Sequence, residues 1–223
     1  MSVVRVLTLL AIVQAACSPN DESETKAALE APATGSVYYT LRQDPRVCIW
    51  PFCGGVFLNA VNLDDTTCVD GSLHPECYVA KLDTSAILPD GALGDLKRLI
   101  VRGRIVPGTK TQVPPFFELH ADGIWRAVTT GPLTEPAFRV SSHGGELTAV
   151  PLNGTQAQRL SGLDLSAVAM TPAEKAQVDQ ALSAGQLLVA GNVVTSTLHA
   201  SELWLPVGAS TRPAVAPRFE ASR

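Results

Sequence analysis

Aromatic and charged residues are scarce in this chain of 223 residues, at 5% and 17% of the total. The formal net charge is −4, and lysine and arginine form no stripe along the sequence. The electrostatic footprint of a nucleic-acid-binding protein is therefore missing, and nucleic acid is not an expected partner. Hydrophobic residues make up 46% of the chain. That is enough for a core in one domain or in two intimately packed halves.

Short motifs that identify common catalytic sites are also missing. The sequence contains no GxSxG nucleophile elbow, HExxH zinc motif, P-loop or GxGxxG fingerprint. We therefore assign no catalytic, cofactor-binding or metal-binding residue, and we expect no cofactor. A non-catalytic binding or structural module is the favoured function. The alternative is a hydrolase whose polar residues converge only in the folded protein.

The N-terminus has the pattern of a bacterial export signal with a lipid anchor. Arg5 supplies a positive charge, and the apolar run Val6–Val13 is too short to span a bilayer as a helix. A pair of alanines followed by Cys17 resembles a lipobox. We predict a signal peptide over residues 1–16 and lipidation of Cys17, which would anchor the chain to a membrane. Cleavage by an ordinary signal peptidase after an alanine is the alternative.

The segment after the anchor, residues 17–36, is expected to be a disordered tether. It contains no aromatic side chain and cannot bury enough apolar surface to offset the entropy of ordering. A first helix through Glu24–Glu30 is the alternative. Ser18 follows the cysteine, which favours the outer membrane by resemblance to Gram-negative lipoproteins. We therefore expect an exported, membrane-anchored protein whose partners are the membrane and an unidentified protein or glycan.

Four cysteines besides Cys17 lie close together in the sequence, at Cys48, Cys53, Cys68 and Cys77. In an exported chain they predict two structural disulfides. No pair has the CxxC spacing of a zinc or redox site, although a metal or redox site remains the alternative. All three pairings are open. A link from one of the first two cysteines to one of the last two is favoured, because a longer loop restricts the unfolded chain more.

Three blocks of sequence recur in the same order in the two halves of the chain. Their length differences fall in connections, where insertions are tolerated. The matched blocks are LHA-x3-W-x2-V at 119–128 and 198–207, a glycine-centred strand at 99–106 and 187–194, and LD-x-SA at 82–86 and 163–167. We predict an α+β, mostly β fold. It is an internally duplicated β-rich unit of about 80–90 residues with one short helix per half.

Hydrophobic periodicity and turn residues place the elements within each half. The first half, 37–130, is predicted to hold strands at Val37–Leu41, Val56–Asn62, Cys77–Leu82, Leu99–Val106, Phe116–Ala121 and Ile124–Val128, and a helix through Gly91–Arg98 capped by Asp90. The second half, 131–207, is predicted to hold strands at Ala137–Val140, Glu146–Val150, within Leu160–Met170 and, as two strands, over Leu187–Val207. Residues 131–136 mark the boundary between the halves, and 208–223 form a flexible tail.

Two local signals sharpen these boundaries. Gly103 interrupts its strand, where glycine usually indicates a bulge or a close backbone approach. In the second half, Thr171, Pro172 and Glu174 form the start of a helix with a capping box, and Gly185 ends that helix.

Histidine and aspartate recur at matched positions. His120 and His199 alternate with leucine and alanine along half-exposed strands, although a pair that met near a symmetry axis could bind a metal or a carboxylate. Asp83 and Asp164 each precede x-Ser-Ala, which is typical of an aspartate that caps a turn at a strand end. The alternative for the two aspartates is an acid/base pair.

Two further groups are interpreted as structural. Trp125 and Trp204 are expected to pack in or near the core, with exposed sugar-stacking platforms as the alternative. The acidic loop at 64–71 is expected to be a solvated turn. A calcium loop is the alternative, although its acidic oxygens do not follow the usual alternation.

Four segments carry a resemblance to a known family: RVCIWPFCGGVFLNAVN, TTCVDGS, ECYVAKLD and LIVRGRI. They resemble a domain-of-unknown-function family found in predicted bacterial lipoproteins, over most of the chain after Val37. The resemblance implies an exported cell-envelope protein with this cysteine framework, and no activity or ligand. Because the cysteine-containing region 48–77 occurs only in the first half, we expect any specific binding surface there.

Overall fold

Most of the chain folds into β-strands, as its alternation of apolar and polar residues predicts. The computed structural model describes residues 35–47, 51–89, 93–108, 116–129 and 131–208. Strands account for 49% and helices for 9%, which confirms a mostly β fold. The predicted signal peptide, Cys17, and nearly all of the tether and the tail lie outside the described residues. Within the described part, no helix is both long and apolar enough to cross a membrane.

The described part of the first half, residues 35–129, contributes eight strands and one short 3₁₀ helix. In chain order they are β1 (Val37–Gln43), β2 (Val56–Ala60), β3 (Thr66–Thr67), β4 (Leu73–His74), β5 (Cys77–Val79), β6 (Lys81–Asp83), the 3₁₀ helix (Leu96–Arg98), β7 (Leu99–Pro107) and β8 (Phe117–Ala127).

The second half, residues 131–208, contributes six strands and one α-helix. They are β9 (Ala137–His143), β10 (Glu146–Pro151), β11 (Gln158–Leu160), β12 (Gly162–Asp164), α1 (Pro172–Ser183), β13 (Leu187–Val194) and β14 (Thr197–Pro206). The predicted capping box is confirmed: the Thr171 hydroxyl accepts from the Glu174 backbone N–H, and the Glu174 carboxylate accepts from the Thr171 N–H. Val178 and Ala181 are buried on the inner face of α1.

Twelve strands belong to one open, mostly antiparallel sheet. Its order is β11-β10-β9-β13-β14-β8-β7-β1-β2-β5, with β12 paired to β14 and β6 paired to β8. These last two pairings are parallel. Strands β3 and β4 form a separate two-stranded ribbon.

The two halves meet where β8 pairs with β14, a line that we call the seam. Trp204 lies opposite Ala127, and Pro206 lies opposite Trp125. Moving outwards from the seam, the partners are β7, β1, β2 and β5 on one side and β13, β9, β10 and β11 on the other. In each half, the strand that pairs across the seam is followed outwards by the strand before it in the chain, and then by the first and the second strand of that half.

Three clusters of buried side chains form the core. One belongs to the first half and one to the second half, where it includes α1. The third draws on both halves and contains Trp125 and Trp204. Successive residues of β7 divide between clusters, since Leu99 packs in the first-half cluster and Ile100 in the shared one. This alternation is expected when both faces of a strand are covered.

Two asparagines join the halves near the shared cluster. The Asn62 side chain accepts from the Ala137 N–H at 2.8 Å and donates to the Ala137 and Leu152 carbonyl oxygens. The Asn153 side chain forms three equivalent bonds from the second half to the first. It accepts from the Tyr38 N–H and donates to the carbonyl oxygens of Tyr38 and Val61.

Predicted strand boundaries were wrong at two places in the first half. The segment Cys77–Leu82 is two strands, because the Ala80 N–H donates to the Phe117 carbonyl at 2.9 Å and directs the chain towards β8. Conversely, the two strands predicted over residues 116–128 are one strand, β8, which continues through a bulge.

The predicted first-half helix is also shorter than expected. Residues 90–92, including the predicted cap Asp90, lie outside the described residues. Gly94 has a φ of 72°, in the left-handed region that right-handed helices do not use. The described helix is therefore the single 3₁₀ turn Leu96–Arg98, and Asp95 is its cap.

Candidate functional site

A polar cleft lies beside the seam and is lined by both halves. Its volume is about 340 Å³, within the range of small-molecule pockets. We call it the seam cleft. Its lining residues are Ser36, Tyr38, Arg102, Asp122, Arg139, Val150, Pro151, Leu152, Asn153 and Gly154.

A β-bulge places one wall of the seam cleft. The register between β7 and β8 shifts at Arg102/Gly103, so that Arg102 lies opposite Gly123, Gly103 lies opposite Ala121, and Asp122 is the extra residue. A Cβ atom on Gly103 would collide with the His120 carbonyl oxygen. The close approach predicted for Gly103 is thus confirmed. Bulges often redirect side chains at functional sites, and here the bulge residue Asp122 lines the cleft.

Arg102 is the central cation of this wall. Its Nε–H donates to Asp122 Oδ1 at 2.5 Å, and Asp122 Oδ2 accepts from the Ser36 hydroxyl. The guanidinium carbon lies 5.8 Å from the ring centres of both Tyr38 and Trp125. Burial is the largest single influence and lowers the pKa of Arg102, but the hydrogen bonds and charge interactions with Asp122 and Tyr38 together outweigh it and raise the pKa. Arg102 is therefore a fixed positive charge.

Arg139 has unused hydrogen-bonding capacity in the cleft, whereas the buried Tyr38 hydroxyl interacts with the Arg102 guanidinium. Arg139 is exposed and forms no ion pair with any residue that the structure describes. With Arg102 and Asp122, Arg139 leaves the lining with a net charge of +1, on a chain whose formal net charge is −4.

Different residues occupy the matched positions in the second half. Ala190 precedes the bulge glycine of β13, where the first half has Arg102, and Ser201 replaces the bulge residue Asp122. The Ser201 hydroxyl donates to Glu135 Oε2. The bulge residue of the second half is thus the serine donor, whereas the bulge residue of the first half, Asp122, is the acid that accepts from Ser36.

The duplicated histidines do not meet. His120 and His199 lie outside the short segments over which β8 and β14 pair, and the antiparallel pairing sends them in opposite directions. Each lies opposite an aspartate instead, Asp83 or Asp164. His199 Nδ1 is 3.0 Å from Asp164 Oδ2. A metal or carboxylate site shared by the two histidines is therefore wrong.

The two aspartates cap turns, as predicted. Asp83 Oδ1 accepts from the Ser85 N–H at 3.1 Å, and Asp164 Oδ1 accepts from the Ser166 N–H at 2.9 Å. Hydrogen bonds from Ser85 lower the pKa of Asp83, and those from Ser166 lower the pKa of Asp164. Because they lie at opposite ends of the seam with their histidines, they form no acid/base pair.

One group of possible metal ligands is present in the first half. Carboxylate oxygens of Asp83 and Glu118 and a ring nitrogen of His120 lie within 4.8 Å of one another. The Lys81 ammonium group lies 3.5 Å from Glu118 Oε2 and already supplies a cation there. We therefore assign this group to the surface ion pairs of the strand ends.

Trp125 and Trp204 are both buried. Their predicted role as packing residues is confirmed, and their burial rules out exposed stacking platforms. Trp125 Nε1–H donates to the Gln186 carbonyl at 2.7 Å, which links the two halves.

The cysteine region is stapled locally. Cys68 and Cys77 form a disulfide whose Cα atoms are 5.6 Å apart, and Cys53 is also disulfide-bonded. Cys48 lies outside the described residues. The favoured link between the early and the late cysteines is wrong, because the β3–β4 ribbon brings Cys68 and Cys77 together.

This region also exposes apolar side chains and acidic turns. Four of the large exposed apolar residues in the described structure belong to it or border it: Val47, Phe52, Leu63 and Leu73. The Asp70 carboxylate accepts from the Ser72 N–H at 3.0 Å in an exposed turn, as predicted, but the loop prediction is wrong at Thr66 and Thr67, which form β3 with Thr66 buried.

Sequence reasoning missed the residues of the seam cleft. Arg102 and Asp122 each precede a glycine within a strand. They also occupy positions where the matched blocks differ, since Ala190 and Ser201 stand there in the second half. Differences between the matched blocks were therefore the available signal, whereas the sequence prediction used only the difference in the cysteine region.

Comparison with known proteins gives one match. A family model described as "Domain of unknown function (DUF6748)" matches residues 37–202. No curated protein and no solved structure matches the chain.

Proposed function

The chain belongs to the DUF6748 family of unknown function, and from this premise we propose that it is a non-catalytic binding module of the cell envelope. The seam cleft carries the proposal. It joins two arginines, a buried tyrosine hydroxyl and an apolar wall in a space of about 340 Å³. Such a cleft binds a small ligand or one residue of a larger glycan or protein.

The envelope location is supported by the sequence and the cysteines. The N-terminal pattern ends in the lipobox-like Cys17, and the Cys68–Cys77 disulfide suits an oxidising compartment outside the cytoplasm. Palmitate labelling of wild type and Cys17→Ser tests the anchor. Labelling of wild type alone is expected, and equal labelling of both would remove the lipoprotein proposal.

We further propose that the two halves are copies of one ancestral unit. Matched pairings support this. The parallel pairs β6–β8 and β12–β14 place an aspartate opposite a histidine in each half, and a glycine follows each register shift. Residues that agree between the copies are explained by the scaffold, which includes both Asp–His pairs. Residues that differ at the seam are then the ones available for specific function.

Capture from an envelope extract tests the binding function. Full-length wild type, Arg139→Glu and Arg159→Glu are immobilised, and the retained components are identified by mass spectrometry. Arg159 is the matched control, because it is an exposed arginine that pairs with Glu146 outside the cleft. A component retained by wild type and Arg159→Glu but lost from Arg139→Glu is expected. Identical retention by all three would refute the cleft as the binding site.

A further inference from the structure

We infer that the seam cleft recognises its ligand through a carboxylate group, held by Arg102 and Arg139. The inference rests on the proposed function, in which this cleft is the binding site. It adds the ligand's chemical class, a small carboxylic acid such as a sugar acid.

The donors of the cleft fit an oxygen-rich anion. An arginine side chain has five N–H donors and no acceptor. The Arg102 Nε–H donates to Asp122, and the guanidinium also interacts with the Tyr38 hydroxyl. The remaining terminal N–H groups of a guanidinium match the two oxygens of a carboxylate in a bidentate pair. Arg139 lines the same cleft and adds a second cation, which forms no ion pair with the described residues.

Tyr38 fixes the position of Arg102 in the cleft wall. The residue is only 8% exposed, and its hydroxyl interacts with the Arg102 guanidinium. Tyr38 lines the cleft together with Arg102, so it holds this cation in place, and the two arginines are the groups available to a ligand.

The charge balance favours a ligand with one negative charge. Two arginines and Asp122 give the lining a net charge of +1, which a carboxylate neutralises. A phosphate monoester carries about −1.5 to −2 at pH 7 and would exceed that charge. The wall of Val150, Pro151 and Leu152 provides apolar contact for the carbon skeleton of the ligand.

Asp122 makes the inference testable in two directions. It competes with an anionic ligand for Arg102, so its charge should weaken binding. Arg139 attracts the ligand, so its charge should strengthen binding. A purely structural role for either residue predicts no such opposite pair of effects.

Isothermal titration calorimetry of the detergent-solubilised full chain is the test, with glucuronate, inorganic phosphate and glucose as probes. We expect glucuronate to bind more tightly than phosphate, and glucose not to bind measurably. Arg139→Gln should raise the Kd for glucuronate at least tenfold, and Asp122→Asn should lower it several-fold. The control Arg159→Gln should leave it unchanged. Arg139 is exposed, so its variant does not depend on refolding of the core.

Other outcomes overturn the inference in distinguishable ways. Tighter binding of phosphate than of glucuronate replaces the carboxylate by a phosphate. Equal binding of glucose and glucuronate, or no measurable binding of glucuronate at a 10-fold molar excess over the protein, shows that the cleft does not recognise a carboxylate. If envelope capture still depends on Arg139 in that case, the binding function stands and only the ligand class fails. If capture is also indifferent to Arg139, both fail.

Discussion

Asn62 and Asn153 hold reciprocal positions across the seam. Each follows the second strand of its own half, and each has a left-handed backbone, with φ of 63° and 61°. Each side chain binds the N–H and carbonyl of one residue at the start of the first strand in the other half. Asparagine suits both tasks, because it tolerates the left-handed region and its amide mimics a backbone partner. The two halves are therefore joined by the same device in both directions.

Removing either asparagine side chain should destabilise the protein. Asn153→Ala and Asn62→Ala each remove three hydrogen bonds to backbone groups of the other half. At about 1 kcal/mol per lost bond, we expect a loss of roughly 3 kcal/mol in the free energy of unfolding for each variant. Denaturant titration measures it, and Asn59→Ala, which loses one exposed bond to Pro75, is the control. Losses no larger than that of Asn59→Ala would contradict the role of the two asparagines in joining the halves.

The two bulge glycines should be equally intolerant of a side chain. A Cβ atom would collide with the His120 carbonyl in Gly103→Ala and with the His199 carbonyl in Gly191→Ala. Overpacking against backbone predicts a loss of about 2–3 kcal/mol for each variant. Gly162→Ala is the control, because its Cβ would meet Thr197 at an ordinary 3.5 Å. If thermal unfolding shows Gly103→Ala to be as stable as Gly162→Ala, the bulge does not fix this wall of the cleft.

Glu202 should make stability depend on pH. Its side chain is buried, one carboxylate oxygen lacks a partner among the described residues, and burial raises its pKa. An acid whose pKa is raised by folding favours the neutral form, so its contribution to stability is present at low pH and is lost as pH rises through the folded-state pKa. Glu202→Gln should therefore match wild type near pH 4 and be more stable at pH 7.

Denaturant titrations across that pH range measure the effect. Glu146→Gln, which removes an exposed carboxylate paired with Arg159, is the control and should change little. Parallel stability curves for wild type and Glu202→Gln would show that Glu202 is not held in its neutral form.

The Cys68–Cys77 disulfide should stabilise the cysteine region through the unfolded state. It closes a loop with a sequence separation of 9, for which chain entropy predicts about 2–3 kcal/mol. Cys68→Ser/Cys77→Ser should lose that amount in denaturant titration. Its affinity for a ligand of the seam cleft should stay at the wild-type value, since neither cysteine lines the cleft. A parallel loss of affinity would place the site in the cysteine region instead.

Local signals were sufficient to predict much of the fold. The capping box at Thr171, the bulge at Gly103 and the turn-capping Asp83 and Asp164 depend on neighbouring residues, so the sequence alone revealed them. The split at Ala80 was missed because it depends on a hydrogen bond to Phe117, a partner distant in the sequence.

The seam cleft could not be predicted for the same reason. Its two arginines come from different halves, and pairing across the seam, not sequence spacing, brings Arg102 and Arg139 to one space. Asn62 was predicted as the last residue of a strand and Asn153 received no role, since nothing local shows that their partners lie in the other half. The pairing register of strands that are distant in the sequence decides these contacts, and it cannot be deduced from a single sequence.

The position of a bound carboxylate tests the central claim most directly. Crystals of the protein soaked with glucuronate should show the carboxylate within hydrogen-bonding distance of Arg102 and Arg139. The same crystals of Arg139→Gln should show the ligand weakened or absent. A ligand seated on the cysteine region, or a seam cleft that stays free of ligand while glucuronate binds in solution, would contradict the account.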